Sequence, residues 1–325
     1  MKIAHLSDFH LNSFFKNSNL DKINQLIKYA FDEGFDHMVI TGDLTDNAEP
    51  GDFEILKGLF KSFGLLNPEK LSLIPGNHDI FGGLQTAEDI LTFPERCKTT
   101  DYLSKVKEYE NYFPEVFENS VYKGEESMFP FAKILDDVLF IGLNSIAKYS
   151  KIKNPFASNG EIELNQFYEI EHILKNFGPL VKTKLILVHH HFNKMTAAGD
   201  NSTLSLWQNI EKQTMKLRKK KRLLKLFNTH QVDLVLHGHI HENIEYERKG
   251  VKFLNAGGCI KGCTENSFNI NFVDISPVKT DIVIHNIHLS GNNTILKNKD
   301  ILPEIGITES DRKNYRIVPA SPLMN

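Results

Sequence analysis

Five short segments constrain this chain more than any other feature. Asp8-Phe9-His10, Gly42-Asp43, Gly76-Asn77-His78-Asp79, His189-His190-His191 and Gly238-His239-Ile240-His241 each set Asp, Asn or His just after a short apolar run. Those runs, residues 3–6, 38–40, 71–74, 185–188 and 232–236, have the length and composition of buried strands. Open α/β sheets build their sites in loops at the carboxyl ends of parallel strands. Gathered at one such edge, the five loops combine carboxylates, imidazoles and a carboxamide. That mixture suits Mn, Fe or Zn, and one Asp can bridge two ions about 3.5–4 Å apart. Residues two apart on an extended segment face the same side, so Asp8 with His10, and His239 with His241, are each expected to face one metal cluster. Gly42, Gly76 and Gly238 allow sharp turns and close backbone approach beside the ligands.

The pattern between the segments predicts the architecture. Ile23, Leu26, Ile27, Ala30 and Phe31 repeat at helical spacing, with Gly34 as a C-terminal cap. Phe53, Leu56, Leu59, Phe60 and Phe63 make a second amphipathic helix. Strand, helix and strand in alternation imply parallel strands with crossover helices. Residues 80–127 interrupt that rhythm as a polar, aromatic insertion carrying one helix near residues 105–117. Segments 131–135 and 138–143 flank Asp136-Asp137 as a hairpin. A helix over 164–175 precedes the strand at 185–188, and residues 192–214 form a second insertion. Beyond Gly238, strand-like segments dominate at 244–248, 251–254, 268–275 and 281–288. Residues 291–325 are polar and aperiodic, so the domain is expected over 1–290 with a C-terminal extension.

The order Asp-x-His, Gly-Asp, Gly-Asn-His-Asp, His, Gly-His-x-His resembles the signature of calcineurin-like metallophosphoesterases. The resemblance implies an α/β sandwich of two stacked mixed β-sheets flanked by helices, with two metal ions at one edge. It assigns Asp8, His10 and His241 to the first ion, Asp43 to the bridge, and Asn77, His189 and His239 to the second. His78 takes the place of the histidine beside the phosphate, acting as phosphate stabiliser and general acid, and Asp79 that of its orienting partner. Within the histidine triplet, His189 follows the strand directly, and His190 is its competitor. Two ions together acidify a shared water and offset phosphoryl charge. Purple acid phosphatases carry a tyrosine three residues after the Gly-Asp aspartate, where this chain has Asp46. The opening Leu6-Ser7-Asp8 and the run Gly42-Asp43-Leu44-Thr45-Asp46 look more like the bacterial phosphodiesterase branch, which includes cyclic-nucleotide phosphodiesterases. The expected substrate is a small phosphodiester or nucleotide-like molecule. A nuclease is the alternative, and a ligand-depleted scaffold, as in retromer, is the rival from another class.

Charge and composition trim these options. The net charge of -3 gives no global pull toward nucleic acid or an anionic membrane. The densest basic run, Lys216 to Arg222, shares a helix with Leu217, Leu223, Leu224 and Phe227, so it reads as a solvated face rather than a phosphate track. Tyr102, Tyr109, Tyr112, Phe113 and Phe117 are expected to form a small core of their own rather than the rim of a base pocket. No apolar run has the length of a membrane span. Residues 1–8 run straight into a motif, so no secretory leader and a cytoplasmic setting are expected. Cys97, Cys259 and Cys263 are too few for a disulfide framework and read as reduced thiols. His5 reads as a packed core histidine and Asn12 as a loop cap. His37, His172, His230, His285 and His288 read as structural or solvated. His190 and His191, next to a ligand, divide between packing and substrate contact.

Overall fold

The apolar runs become central strands because both of their faces meet other layers. The computed structural model describes residues 1–13, 18–83, 89–192, 217–241, 243–260, 267–276 and 282–290. Strands β1 (Lys2–Leu6), β2 (His37–Ile40) and β3 (Leu71–Leu73) pair in parallel. Their crossovers are helices α1 (Ser18–Glu33) and α2 (Pro50–Ser62). Ile23, Leu26, Ile27 and Ala30 of α1 and Phe53, Leu56, Leu59 and Phe60 of α2 are buried as the spacing predicts, whereas Phe31 is 43% exposed and stacks on the half-buried Phe63. Gly34 closes α1 at φ 71°, and its N–H donates to the Phe31 carbonyl.

A second sheet begins with the expected hairpin, β4 (Phe131–Leu135) and β5 (Val138–Gly142), turned at Asp136 with φ 51°. It continues through β6 (Thr183–Leu187), β7 (Leu234–His237), β8 (Asn243–Arg248) and β9 (Val251–Ala256). Strands β5, β6, β7 and β9 run parallel, with β4 and β8 as antiparallel edges. Strands β10 (Ser267–Ile275) and β11 (Ile282–Ser290) return to the first sheet, β10 pairing antiparallel with β1. The described residues thus form two mixed sheets, ordered β11-β10-β1-β2-β3 and β4-β5-β6-β7-β9-β8.

Alternation places the second sheet between two cores. Leu185 and Leu187 face one apolar cluster, shared with the first sheet and its helices. Ile186 and Val188 face another, shared with α6 (Leu164–Asn176) and α7 (Lys220–Thr229). The insertion after residue 80 differs from expectation. Helix α4 (Asp89–Thr99) precedes α5 (Tyr102–Tyr112), and a 3₁₀ turn follows at Pro114–Phe117. Its aromatic residues do not form a separate core. Tyr109, Phe113 and Phe117 join the main cluster, and Tyr112 stacks on Phe53 at 4.8 Å. Phe53 of α2 already presents a ring there, so burying the insertion against it removes more apolar area than a small separate core would. Expectations for residues 193–214, Cys263 and the segment 291–325 fall outside the described residues. Among those described, no helix is long and apolar enough to cross a membrane.

The two sheets are joined at one edge by a buried lysine. Lys133 of β4 donates to the carbonyls of Pro68 and Leu71, at 3.1 and 2.8 Å, and to Ser72 Oγ at 3.3 Å. Burial lowers its pKa to about 7. An unfolded lysine titrates near ~10.4, so between these values the unfolded chain binds more protons. Stability conferred at Lys133 is therefore expected to rise from pH 7 to pH 10. Urea denaturation of wild type and Lys133→Met across that range checks this. A constant difference between the two would contradict it.

Candidate metal centre

All five motif loops lie at carboxyl strand ends. Asp8 and His10 follow β1, Asp43 follows β2, and Asn77 opens the short helix α3 (Asn77–Phe81) after β3. His189 follows β6, and His239 and His241 follow β7. The first two loops are laced together. Asp8 N donates to Gly42 O, His10 N to Asp43 O and Leu11 N to Leu44 O, each at 3.0 Å.

Paired presentation does not come from an extended backbone, as the spacing alone suggested. Asp8, His10, Asp43 and His239 adopt left-handed φ values of 57°, 45°, 52° and 73°. Such conformations cost about 1–3 kcal/mol each and persist where the surroundings dictate them. Here the cross-loop hydrogen bonds do so, and His239 N is held by both Asp8 oxygens at 3.1 Å. Two glycines make room. A Cβ on Gly76 would lie 2.1 Å from Asp43 Oδ1, and one on Gly42, itself at φ 98°, would lie 2.6 Å from His189 Nδ1.

The side chains form two groups around Asp43. Asp8 Oδ1 lies 3.9 Å from His10 Nε2 and 3.8 Å from His241 Nε2. His189 Nε2 lies 3.0 Å from His239 Nδ1 and 3.3 Å from Asp43 Oδ2. The same Asp43 oxygen is 3.6 Å from His10 Nε2, so this carboxylate stands between both groups. In each group the potential donor atoms lie within 4.8 Å of one another.

The donor chemistry fits a cation in each group. His189 Nδ1 meets the Thr41 carbonyl at 2.7 Å, so that nitrogen carries a proton and Nε2 is the atom that faces His239 and Asp43. Asn77 Oδ1 is buried and has no hydrogen-bond partner within the protein. Burial opposes charging His189, yet Asp43 raises its pKa to about 9. Burial likewise favours neutral Asp43, but His189, His78 and His10 hold it well below the ordinary carboxylate range. A site that drives protons onto buried imidazoles beside a carboxylate is one that a cation suits.

Beside these groups, Asp46 holds two imidazoles at once. Its Oδ1 lies 3.1 Å from His10 Nδ1 and 3.3 Å from His78 Nδ1, and its carbonyl oxygen is 2.9 Å from His78 Nδ1. Burial would raise the Asp46 pKa, but hydrogen bonds from both histidines take it far below the usual range. Asp79, expected to orient His78, makes its hydrogen bonds to other groups. The Asp79 carboxylate accepts from Gly76 N at 2.9 Å, Leu44 N at 3.2 Å, Thr45 N at 2.8 Å and Thr45 Oγ1 at 3.2 Å. It clips the third loop to the second, and its pKa is pushed up to about 7 by burial and by Asp43. Both oxygens of Asp79 are engaged by backbone donors, whereas Asp46 faces His78. The signal in the sequence is Asp46 itself, three residues after Asp43, where the pattern suggests only the absence of tyrosine and no partner for His78.

The triplet divides by partner. His189 lies in the cluster, while His190 Nδ1 meets Ser145 Oγ at 2.8 Å and its ring sits 4.6 Å from that of His239. His191 is buried beside them. His5 is a core histidine, 3.0 Å from Thr41 Oγ1, with its pKa lowered to about 3 by burial. His37 bonds the Glu69 carbonyl and Ser72 Oγ.

A family model for calcineurin-like phosphoesterases matches residues 1–243. The chain belongs to this family. The family's chemistry is metal-dependent phosphoester hydrolysis, and the Asp/His groups of this chain suit it. Among solved structures, the fold resembles a dimetal phosphatase from Danio rerio, with a TM-score of 0.57 and 10% identity over 89% of this chain and 98% of that one. Two looser likenesses carry no weight here. One is an archaeal phosphodiesterase, with a TM-score of 0.37 and 15% identity over 89% of this chain and all (100%) of that one. The other is GAP50 of Plasmodium, with a TM-score of 0.43 and 13% identity over 89% and 88%. Among curated proteins no sequence match is found.

The two aspartates are separable by experiment. Asp79→Ala removes the acceptor for three backbone N–H groups, so it is expected to cost on the order of 2–4 kcal/mol of stability. Asp46→Ala is expected to lower phosphoesterase turnover at least tenfold, with a smaller loss of stability. Urea denaturation and initial rates measured on the same preparations check both, and the reverse pattern would refute the assignment.

Proposed function

We propose that this chain hydrolyses a small, nucleotide-like phosphodiester with two divalent or trivalent ions, Mn, Fe or Zn. The observation that carries this reading is the Asp43 carboxylate standing between the two histidine-containing groups. Asp8, His10 and His241 would hold one ion, Asn77, His189 and His239 the other, and Asp43 would be shared. When bound, such a pair supplies an acidified water and offsets charge on phosphoryl oxygens.

The chain's own groups divide the remaining work. His78 is more exposed than most of the cluster, with 19% of its side chain accessible, and its ring meets that of His10 edge-on at 4.6 Å. Asp46 accepts from its Nδ1–H, which fixes Nε2 as the nitrogen that meets the substrate. From there His78 stabilises the phosphate and gives its proton to the leaving oxygen. Asp79 acts by holding the loop that carries Asn77 and His78.

The state of the basic run favours small substrates over nucleic acid. Lys219 and Arg218 pair with Glu161 at 2.5 and 3.5 Å, and Arg222 lies over the Phe167 ring at 3.9 Å. Leu217, Leu223, Leu224 and Phe227 face inward. A groove of about 300 Å³ nearby is lined by Glu125, Glu126, Glu161, Glu163 and Glu169 together with Lys148, which pairs with Glu163, so its lining carries more acid than base. The cytoplasmic setting and the 1–290 domain extent stay with this reading.

Two measurements test it. His78→Ala is expected to retain bound metal and lose rate, more for alkyl than for nitrophenyl diesters, because only the poorer leaving group needs the proton. Equal losses on both substrates would remove His78 as the acid. The KM of wild type for a small diester is expected to change little with added salt. Rapid cleavage of DNA with a steep power-law loss of affinity in salt would favour the nuclease reading instead.

A further inference from the structure

The proposed centre straddles two sheets. Asp8, His10, Asp43 and Asn77 stand on loops of the first sheet, and His189, His239 and His241 on loops of the second. Strand ladders fix positions within each sheet, so another device must set the spacing between the two ligand sets.

A chain of buried carboxamides spans that gap. Asn255 on β9, in the second sheet, is fully buried, and its Nδ2 donates to the Ile240 carbonyl, the peptide between His239 and His241. The main-chain carbonyl of Asn255 accepts from Asn271 Nδ2 at 3.2 Å. Asn271 is also fully buried and lies on β10, opposite His5 of β1 in the first sheet. Its Oδ1 in turn accepts from Asn243 Nδ2 of β8 at 2.8 Å. Just past β9, Cys259 N donates to Ser7 O at 3.0 Å, one residue before Asp8. Beside the direct contact of His239 N with Asp8, a second route from the first sheet to the turn carrying His241 runs through Asn271 and Asn255.

We infer that Asn255 is a positioning residue for the metal centre, with Asn271 as its support, and that the pair sets the approach of His241 to Asp8. The inference rests on the two-ion reading above. Burying a carboxamide costs free energy unless its hydrogen bonds are made, and an apolar side chain would fill the β9 position without that cost. What the amide adds is a directional grip on one peptide of a turn whose His239 has left-handed φ. The turn is then held at two points, His239 N by Asp8 and Ile240 O by Asn255.

Asn255→Asp keeps the shape and removes the donor. Calorimetric titration of the metal-free full chain with Mn²⁺ alone, alongside its melting temperature, tests the role. Wild type is expected to bind two ions. The variant is expected to lose at least tenfold in affinity for one ion and less than threefold for the other, with the melting temperature of the metal-free protein within a few degrees of wild type. Asn271→Ser is expected to move the same ion in the same direction by a smaller factor, and it carries the test if Asn255→Asp does not fold. Equal weakening of both ions together with a lower melting temperature, or no weakening of either, overturns the inference while leaving the two-ion reading intact. Fewer than two ions on wild type overturns that reading, and the inference with it.

Discussion

Asp43 is an ionised carboxylate taken almost wholly out of water, at 2% exposure. In isolation such burial costs several kcal/mol and drives a carboxylic acid toward its neutral form. Here three histidines hold it in the opposite state. The arrangement works only while His10, His78 and His189 remain within a few ångströms of it, and these residues come from three separate loops on both sheets. The fold's apparatus at this edge, from the cross-loop hydrogen bonds to the glycines packed against the carboxylate, keeps those loops in place.

That apparatus relies on a rigid backbone more than on long side chains. Asp8, His10, Asp43 and His239 in left-handed conformations form a strained rim whose stability is borrowed from its neighbours. Asp79 binds two loops through their N–H groups, and His189 is oriented by the Thr41 carbonyl at the end of β2. Each of these contacts fixes an orientation before any ligand arrives. Preorganised donors of this kind need no rearrangement as charge develops, which is where electrostatic stabilisation acts most strongly.

Among the described residues, few cations outside the rim are placed to follow a polyanion. Arg218 and Lys219 of the basic run are engaged by Glu161 and Arg222 by Phe167, and the insertion's Tyr109, Phe113 and Phe117 are sunk in the main core rather than offered to a base. Family membership accounts for phosphoester chemistry, and these surface features are what favour a small substrate within it.

How much was legible in the sequence depended on the range of the interaction concerned. Apolar runs followed by Asp, Asn and His report strands and their terminal loops directly, because period and burial are local properties. The helical stripes over α1, α2 and α6, the β4–β5 turn, the inward leucines of α7 and the core histidine His5 were all readable for that reason. Three things were not. The spacing of Asp8 and His10 suggested an extended presentation, while lacing to the β2 loop bends both into left-handed φ. His78 was paired with Asp79, its neighbour in sequence, but Asp79 faces the N–H groups of a loop more than thirty residues earlier, and Asp46, equally distant in sequence, takes His78. Asn255 and Asn271 gave no signal, since a lone Asn in a strand looks the same whether it faces water or joins two sheets. The sequence by itself determined which chemical groups this protein brings to its site and on which strand ends. Only the tertiary structure decided which buried donor meets which acceptor, because that choice is made by packing between segments that no local period connects.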